Sequence, residues 1–130
     1  MIKFAYTILY VRDVTKTIAF YEKAFDLQRK FITPDRSYGE LITGATTLSF
    51  AELKLAASNL KNGFTESDTE RKPFAMEIAF ATTDVEGTYK KAIMAGATEE
   101  TPATVKPHGQ TVAYVRDPNG FLVEICTPMD

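Results

Sequence analysis

The sequence has little of several residue types on which common protein functions depend. It holds one cysteine, one histidine and no tryptophan. The single cysteine, Cys126, cannot form a disulfide within the chain, which is typical of a protein from a reducing compartment. The single histidine, His108, cannot supply two imidazoles to one site. One chain therefore cannot build a two-histidine iron site or the common zinc sites that need two or more histidines.

The chain also lacks a large net charge of either sign, and it has no long apolar run. Its 15 basic and 17 acidic residues give a formal net charge of −2. The basic residues are scattered, so neither nucleic acid nor an anionic membrane is an expected partner. The apolar runs are too short for a spanning helix, and the first residues lack a secretory cleavage pattern. We expect a cytoplasmic protein.

The remaining composition is that of one globular domain, with 45% hydrophobic and 25% charged residues. Alternation of apolar residues predicts strands, and helical spacing after Asp13 and Asp84 predicts two capped helices. The polar stretch 58–73 predicts a linker or mobile loop, preceded by a short helical turn, and residues 97–101 lead into Pro102. The predicted strands are 4–11, 27–33, 38–43, 46–52, 76–81, 111–116 and 121–126, and the helices are 13–26 and 84–96.

The two halves of the chain match at a fixed offset. Leu9 aligns with Phe80 and Asp13 with Asp84. The matches predict an internal β-α-β-β-β duplication. We therefore expect a single domain, 1–130, made of a module 1–57, a linker 58–73 and a module 74–130.

A predicted hairpin at 110–126 contains the charge that is hardest to explain. Asp-Pro-Asn-Gly at 117–120 has the residue types of a tight turn. Glu124 lies between Val123 and Ile125 in a strand that otherwise has a buried pattern. Because an unpaired buried carboxylate is costly, Glu124 needs a partner, a cavity or a ligand.

These motifs resemble a known family. D-V-x-K-T-I-x-F-Y near the start, D-V-x-x-x-Y-x-K-A-x-x-A-G-A in the middle and R-D-P-N-G-F-L-V-E-I at the end are similar to the vicinal oxygen chelate superfamily. This is the glyoxalase I, bleomycin-resistance protein and extradiol dioxygenase group. The resemblance implies an α+β fold, in which two βαβββ modules form a cupped eight-stranded mixed sheet with a ligand cavity. It also implies a homodimer.

The resemblance also implies the site. Metal-using members carry a ligand at four cavity positions, one on the first and one on the fourth strand of each module. Those positions are Tyr6, Ser49, Glu77 and Glu124 here. Strand alternation agrees that the four side chains point away from the helices. Only Glu124 keeps the glyoxalase ligand type, so we expect no cofactor. If a divalent metal is held, Glu77 and Glu124 are its expected ligands.

The chemistry stays open between three functions. The first is a metal-free pocket, lined also by Ile8, Tyr10 and Leu122, in which Glu77 and Glu124 attract a cationic or hydrogen-bond-donating ligand. Such a pocket would sequester a small organic or antibiotic-like compound or act on it by acid–base chemistry, with Glu124 and Glu77 as the catalytic groups. The second is a divergent metal-dependent lyase of the lactoylglutathione lyase type, which fits better than an extradiol dioxygenase. The third is a structural dimer without ligand, in which the two glutamates pair with Arg12, Arg29, Arg116 or Tyr6.

Overall fold

The computed structural model describes residues 1–129 and has an α+β fold. These residues form eight strands and three helices. Two compact units are present, one made of residues 1–22 and 26–66 and the other of residues 23–25 and 67–130. Each unit contains one four-stranded mixed sheet. The predicted βαβββ duplication is confirmed. Within residues 1–129 no helix has the length and apolar character needed to cross a bilayer.

The first unit contains the first βαβββ module and a short extra helix. Its sheet has the order β1-β4-β3-β2, with β1 and β4 parallel and the other neighbours antiparallel. The elements are β1 (Tyr6–Val11), α1 (Val14–Phe25), β2 (Gln28–Ile32), β3 (Tyr38–Ile42), β4 (Thr47–Glu52) and α2 (Leu53–Asn59).

One face of the first sheet is buried under α1. Asp13 caps this helix, since its carboxylate accepts a hydrogen bond from the Lys16 amide at 2.9 Å. Ile18 and Tyr21 are fully buried, and the Tyr21 ring stacks on Phe50 of β4. The opposite face therefore carries the alternate residues of every strand, among them the predicted site residues.

The second unit repeats this arrangement. Its sheet has the order β5-β8-β7-β6, with β5 and β8 parallel and the other neighbours antiparallel. Val85, Tyr89 and Ala92 on the helix are buried, as are Val123 and Ile125 on the sheet. The elements are β5 (Ile78–Ala81), α3 (Val85–Ala95), β6 (Thr98–Val105), β7 (Thr111–Arg116) and β8 (Leu122–Cys126).

The predicted turn at 117–120 closes the β7–β8 hairpin and sets its register. The Gly120 amide donates to the Asp117 carbonyl at 2.9 Å, and the Asp117 carboxylate accepts from the Asn119 and Phe121 amides. Gly120 has φ of +95°, which an L side chain rarely adopts. With this register, Tyr114 lies directly opposite Glu124.

The sixth strand runs past the proline where the sequence pattern breaks. β6 continues to Val105 with Pro102 inside it. It is the edge strand of its sheet, and its pairing with β7 shifts between Thr101 and Thr104. A proline is tolerated there because an edge strand has amides that need no partner in the sheet.

Candidate functional site

Two carboxyl groups and a phenol meet on the open face of the second sheet. Glu124 on β8 accepts a hydrogen bond of 3.0 Å from the Tyr114 hydroxyl on β7. Glu77 immediately precedes β5, and its carboxyl group lies close enough to Glu124 for the two groups to interact. We call Glu77 and Glu124 the carboxyl pair. In this unit the structure thus brings together the two residues that the sequence named as acid–base candidates.

The carboxyl pair holds a proton more tightly than a single glutamate would. Burial raises the pKa of Glu77, and the interaction with the neighbouring Glu124 carboxyl group raises this pKa further. Donation from Tyr114 stabilises negative charge on Glu124. Burial and this hydrogen bond raise the pKa of Tyr114 to about 12. Glu77 therefore keeps its proton to a higher pH than an isolated glutamate would.

Glu77 faces a pocket in the same unit with a volume of about 940 Å³. Tyr114 and Leu122 form part of its lining, and the consecutive residues 71–77 form one side. We call residues 71–77 the pocket wall. The pocket size is within the range of small-molecule sites in proteins. Of the predicted ligand-binding residues, Glu77 and Leu122 line this pocket, and Glu124 interacts with Glu77.

Arg116 fastens the start of the pocket wall to the hairpin. Its side chain is buried and donates hydrogen bonds to the carbonyls of Asp68, Arg71 and Gly120 at 2.9, 2.8 and 2.7 Å. The backbone of Gly120 also lies so close to Asp68 that a Cβ there would come within 2.6 Å of the Asp68 carbonyl carbon. The stretch predicted as a linker or mobile loop is therefore bound to the hairpin at its C-terminal end.

The first unit holds the other predicted site residues. Ser49 lies opposite Ile8 in the β1–β4 register. Tyr6 is exposed. Burial, followed by the hydrogen bond to Glu40 and the charge of Glu40, raises the pKa of the nearby Tyr38 to about 12. Tyr10 packs edge-on against Phe64. The Ser49 hydroxyl is fully buried and has no hydrogen-bond partner among residues 1–129. It lies near enough to Tyr38 to oppose the rise in the pKa of that phenol.

A carboxylate that the sequence analysis missed lies beside Ser49. Glu40 on β3 is the register partner of Ser49, is almost fully buried and accepts a hydrogen bond of 2.7 Å from Tyr38. Lys30 lies 3.8 Å from it. Glu40 occupies in the first module the place of Tyr114 in the second, so the carboxylate has changed strands between modules. The signal for Glu40 was the one used for Glu124, a charge inside an otherwise buried strand.

Pairing of the two glutamates with arginine is not found. Arg12 pairs with Glu66 and Arg29 with Glu22, and Arg116 binds the carbonyls described above. Within residues 1–129, Glu77 and Glu124 form no ion pair. The arginine pairs proposed for these two glutamates are therefore absent from this part of the chain.

The donor set does not fit a tightly held transition metal. The carboxyl pair offers two oxygen ligands, and the adjacent Tyr114 stays protonated because its pKa is raised. In the described part of the chain, no three His, Cys, Asp or Glu side chains are grouped so that they could hold a metal ion. Transition-metal sites of the common kinds use three or more such ligands.

The single histidine and the single cysteine, His108 and Cys126, both make contacts that support the local structure. The His108 ring is hydrogen-bonded to the Gln110 side chain at 2.7 Å, and Gln110 donates to the Thr127 carbonyl. These contacts agree with a loop-anchoring role. Cys126 is buried, and burial followed by its contact with Glu124 raises the pKa of its thiol. A thiol held neutral in this way is a poor nucleophile.

The fold has many relatives among solved structures. The chain superposes with a TM-score of 0.85 on the crystal structure of a glyoxalase-related enzyme from Fulvimarina pelagi, with 21% identity over 98% of this chain and 89% of the other. It superposes with a TM-score of 0.81 on a glyoxalase/bleomycin resistance protein/dioxygenase family enzyme from Burkholderia phytofirmans PsJN, at 21% identity over 98% and 100%. A lactoylglutathione lyase from Agrobacterium tumefaciens gives a TM-score of 0.69 at 21% identity over 95% and 91%.

These likenesses concern the fold, since each identity is low. No curated protein matches the sequence. A family model described as Glyoxalase/Bleomycin resistance protein/Dioxygenase superfamily matches residues 3–125, which is nearly the whole chain and includes both modules. The chain therefore belongs to the glyoxalase/bleomycin resistance protein/dioxygenase superfamily.

Proposed function

We propose that this chain is a small-molecule-binding protein of the glyoxalase/bleomycin-resistance type. It sequesters a small organic or antibiotic-like compound, or acts on it by metal-free acid–base chemistry. The observation that carries the proposal is the carboxyl pair, which has no ion-pair partner within residues 1–129 and has Glu77 on the surface of a pocket of about 940 Å³. Groups with perturbed pKa values in a cleft are typical of functional sites.

The carboxyl pair supplies both halves of acid–base chemistry. Glu77 holds the proton and donates a hydrogen bond to a carbonyl or amide oxygen of the ligand. In a catalytic version, Glu77 transfers this proton to the ligand and takes up a proton that the reaction releases. The neighbouring Glu124, held by Tyr114, raises the pKa of Glu77 and so favours its role as the proton donor.

A metal-dependent lyase is the competing function, and metal content separates the two. Protein purified without added metal is analysed for nickel, zinc and manganese before and after mutation of Glu124→Gln. We expect less than stoichiometric metal in both samples. Stoichiometric metal that is lost in Glu124→Gln would overturn the proposal in favour of the lyase.

Binding to the pocket itself is tested by NMR. A library of small aromatic and amide-containing compounds is added to ¹⁵N-labelled protein, and amide shifts are followed for residues 71–77, Tyr114 and Leu122. We expect binders that shift these signals and that bind more weakly to Glu77→Ala. Glu86→Ala, which changes an exposed glutamate of α3, is the control. A library in which no compound shifts the pocket signals would contradict the proposal and leave a structural protein without ligand.

A further inference from the structure

We infer that the ligand of the second unit's pocket is an organic acid, with an anionic group bound near Arg71 and Lys72 and an apolar body beside Leu122. This inference rests on the proposed function, because it names the chemical class of ligand for the same pocket. The carboxyl pair taken alone favoured a cationic ligand. The structure adds positive charges around the pocket that the sequence did not assign to it.

The pocket lining has more positive than negative side chains. Arg71, Lys72 and Arg116 line it, against Glu77 and Glu100. Within the described residues 1–129, none of these three basic side chains forms an ion pair with a carboxylate. Their charge is therefore not compensated by the protein, and a ligand anion would supply the missing charge.

Arg116 contributes a fixed and partly desolvated positive charge. It is only 6% exposed, and its hydrogen-bond acceptors are the neutral carbonyls of Asp68, Arg71 and Gly120. Neutral carbonyls satisfy the donors of a guanidinium group but leave its net charge in place. Because screening by water is weaker for a buried charge, its attraction reaches an anion in the pocket more strongly than a surface charge would.

The hydrogen bonds of Arg116 also position two further basic side chains, Arg71 and Lys72, at the pocket. The bond from Arg116 to the Arg71 carbonyl fixes the backbone at the start of the pocket wall. The exposed side chains of Arg71 and Lys72 leave the wall from this fixed point. A guanidinium group can bind a carboxylate through two parallel hydrogen bonds, which makes Arg71 the expected direct partner.

The rest of the lining suits an apolar body with one hydrogen-bond acceptor. Phe74 is packed edge-on against Phe121, and Met76 is exposed to the pocket with Leu122 near it. Glu77 and Glu100 are the acidic groups of the lining. When Glu77 carries a proton, it donates a hydrogen bond and does not repel the anionic ligand.

Three nearly isosteric probes test the inference, because they differ mainly in charge. Benzoate is an anion, benzamide is neutral and benzamidine is a cation. Their affinities are measured from ¹⁵N amide shifts of residues 71–77 and Leu122 at low salt. Since a charge-assisted hydrogen bond contributes about 1.5–3 kcal/mol, benzoate should bind roughly tenfold or more tightly than benzamide, and benzamidine should bind most weakly.

A pair of double variants shows whether the basic side chains are responsible. Arg71→Gln with Lys72→Gln should reduce benzoate affinity to about that of benzamide. Lys54→Gln with Lys90→Gln removes the same charge from exposed positions outside the pocket and should leave the preference intact.

The outcomes separate this inference from the proposed function. If benzamide or benzamidine binds the pocket as tightly as benzoate, the organic-acid inference is wrong while the pocket function stands. The inference is equally wrong if both double variants weaken benzoate binding by the same factor. If no probe shifts the pocket signals while the compound library also yields no binder, the proposed function fails and the inference with it.

Discussion

Glu77 makes the folded chain sensitive to pH in a definite direction. Its pKa in the folded chain lies above the ordinary value of 4.5. As the pH rises above 4.5, the unfolded chain loses this proton before the folded chain does. Folding then takes up a proton, so Glu77 lowers the free energy of unfolding as pH rises from 4.5 through its raised pKa.

Replacement of its partner should shift this titration. In Glu124→Gln the charge of Glu124 is gone, so the pKa of Glu77 should fall toward 4.5. It should remain above that value because burial, the largest cause of the shift, persists. Side-chain ¹³C NMR titration measures the change. Glu86→Gln is the control and should leave the titration of Glu77 as it is. If the pKa of Glu77 is the same in Glu124→Gln as in the wild type, the two carboxyl groups do not interact.

Single residues were predictable where they break a pattern. Glu124 stood out because it lies between two buried side chains, and the structure places it against Glu77 and Tyr114. Glu40 carries the same signal, but the motif resemblance directed attention to Ser49 on the neighbouring strand. The positions of Arg71 and Lys72 at the pocket had no sequence signal, since basic residues in a polar stretch are usually only solvated.

At the scale of elements, the turn 117–120 determines more than the hairpin register. Gly120 combines a left-handed backbone with close approach to Asp68. A side chain at this position would therefore strain the turn and also press on the segment that leads into the pocket wall.

The chain offers a matched pair of glycines that separates the two effects. Gly109 has φ of +96° with nothing within 4 Å of an added Cβ, and Gly120 has φ of +95° with Asp68 backbone at 2.6 Å. Gly109→Ala should lower the free energy of unfolding by about 1–2 kcal/mol through backbone strain alone. Gly120→Ala should lower the free energy of unfolding by roughly 1–3 kcal/mol more than Gly109→Ala does, because the added methyl group overpacks against Asp68. Urea denaturation of both variants tests this, and equal losses would show that the contact with Asp68 contributes nothing.

Strands and helices were predictable because their signals are local. Alternation located the strands, and Asp13 and Asp84 marked the two helix starts, where both carboxylates accept backbone amides. The path of the pocket wall was not predictable. It depends on hydrogen bonds from Arg116 to residues 45 and 48 positions earlier, and a periodic pattern carries no information on such contacts.

At the scale of the whole molecule, one sheet face of the first unit stays apolar and exposed. Tyr6, Ile8 and Ile42 lie on it and are 53%, 43% and 53% exposed. Extended exposed apolar surface is uncommon on monomers and marks interaction sites. Together with the homodimer that the family resemblance implies, this surface predicts self-association.

A charge on this face should disrupt the dimer. We expect the wild-type chain to sediment as a dimer and Ile42→Lys to shift the population toward monomer, because a lysine would be desolvated in the interface. Met94→Lys is the control, since Met94 is 89% exposed on α3. Circular dichroism checks that both variants are folded. A monomeric wild type, or equal dissociation of both variants, would contradict the prediction.

The hydrogen bonds of Arg116 also have a consequence for the order of events during synthesis. Residues 71–77 leave the ribosome long before residue 116, so the pocket wall emerges without the side chain that holds its start. A nascent chain can assemble the first sheet, whose strands all precede residue 53, while this segment is still unrestrained. The pocket lining becomes complete only when the β7–β8 hairpin has been translated, so the proposed ligand binding requires that hairpin.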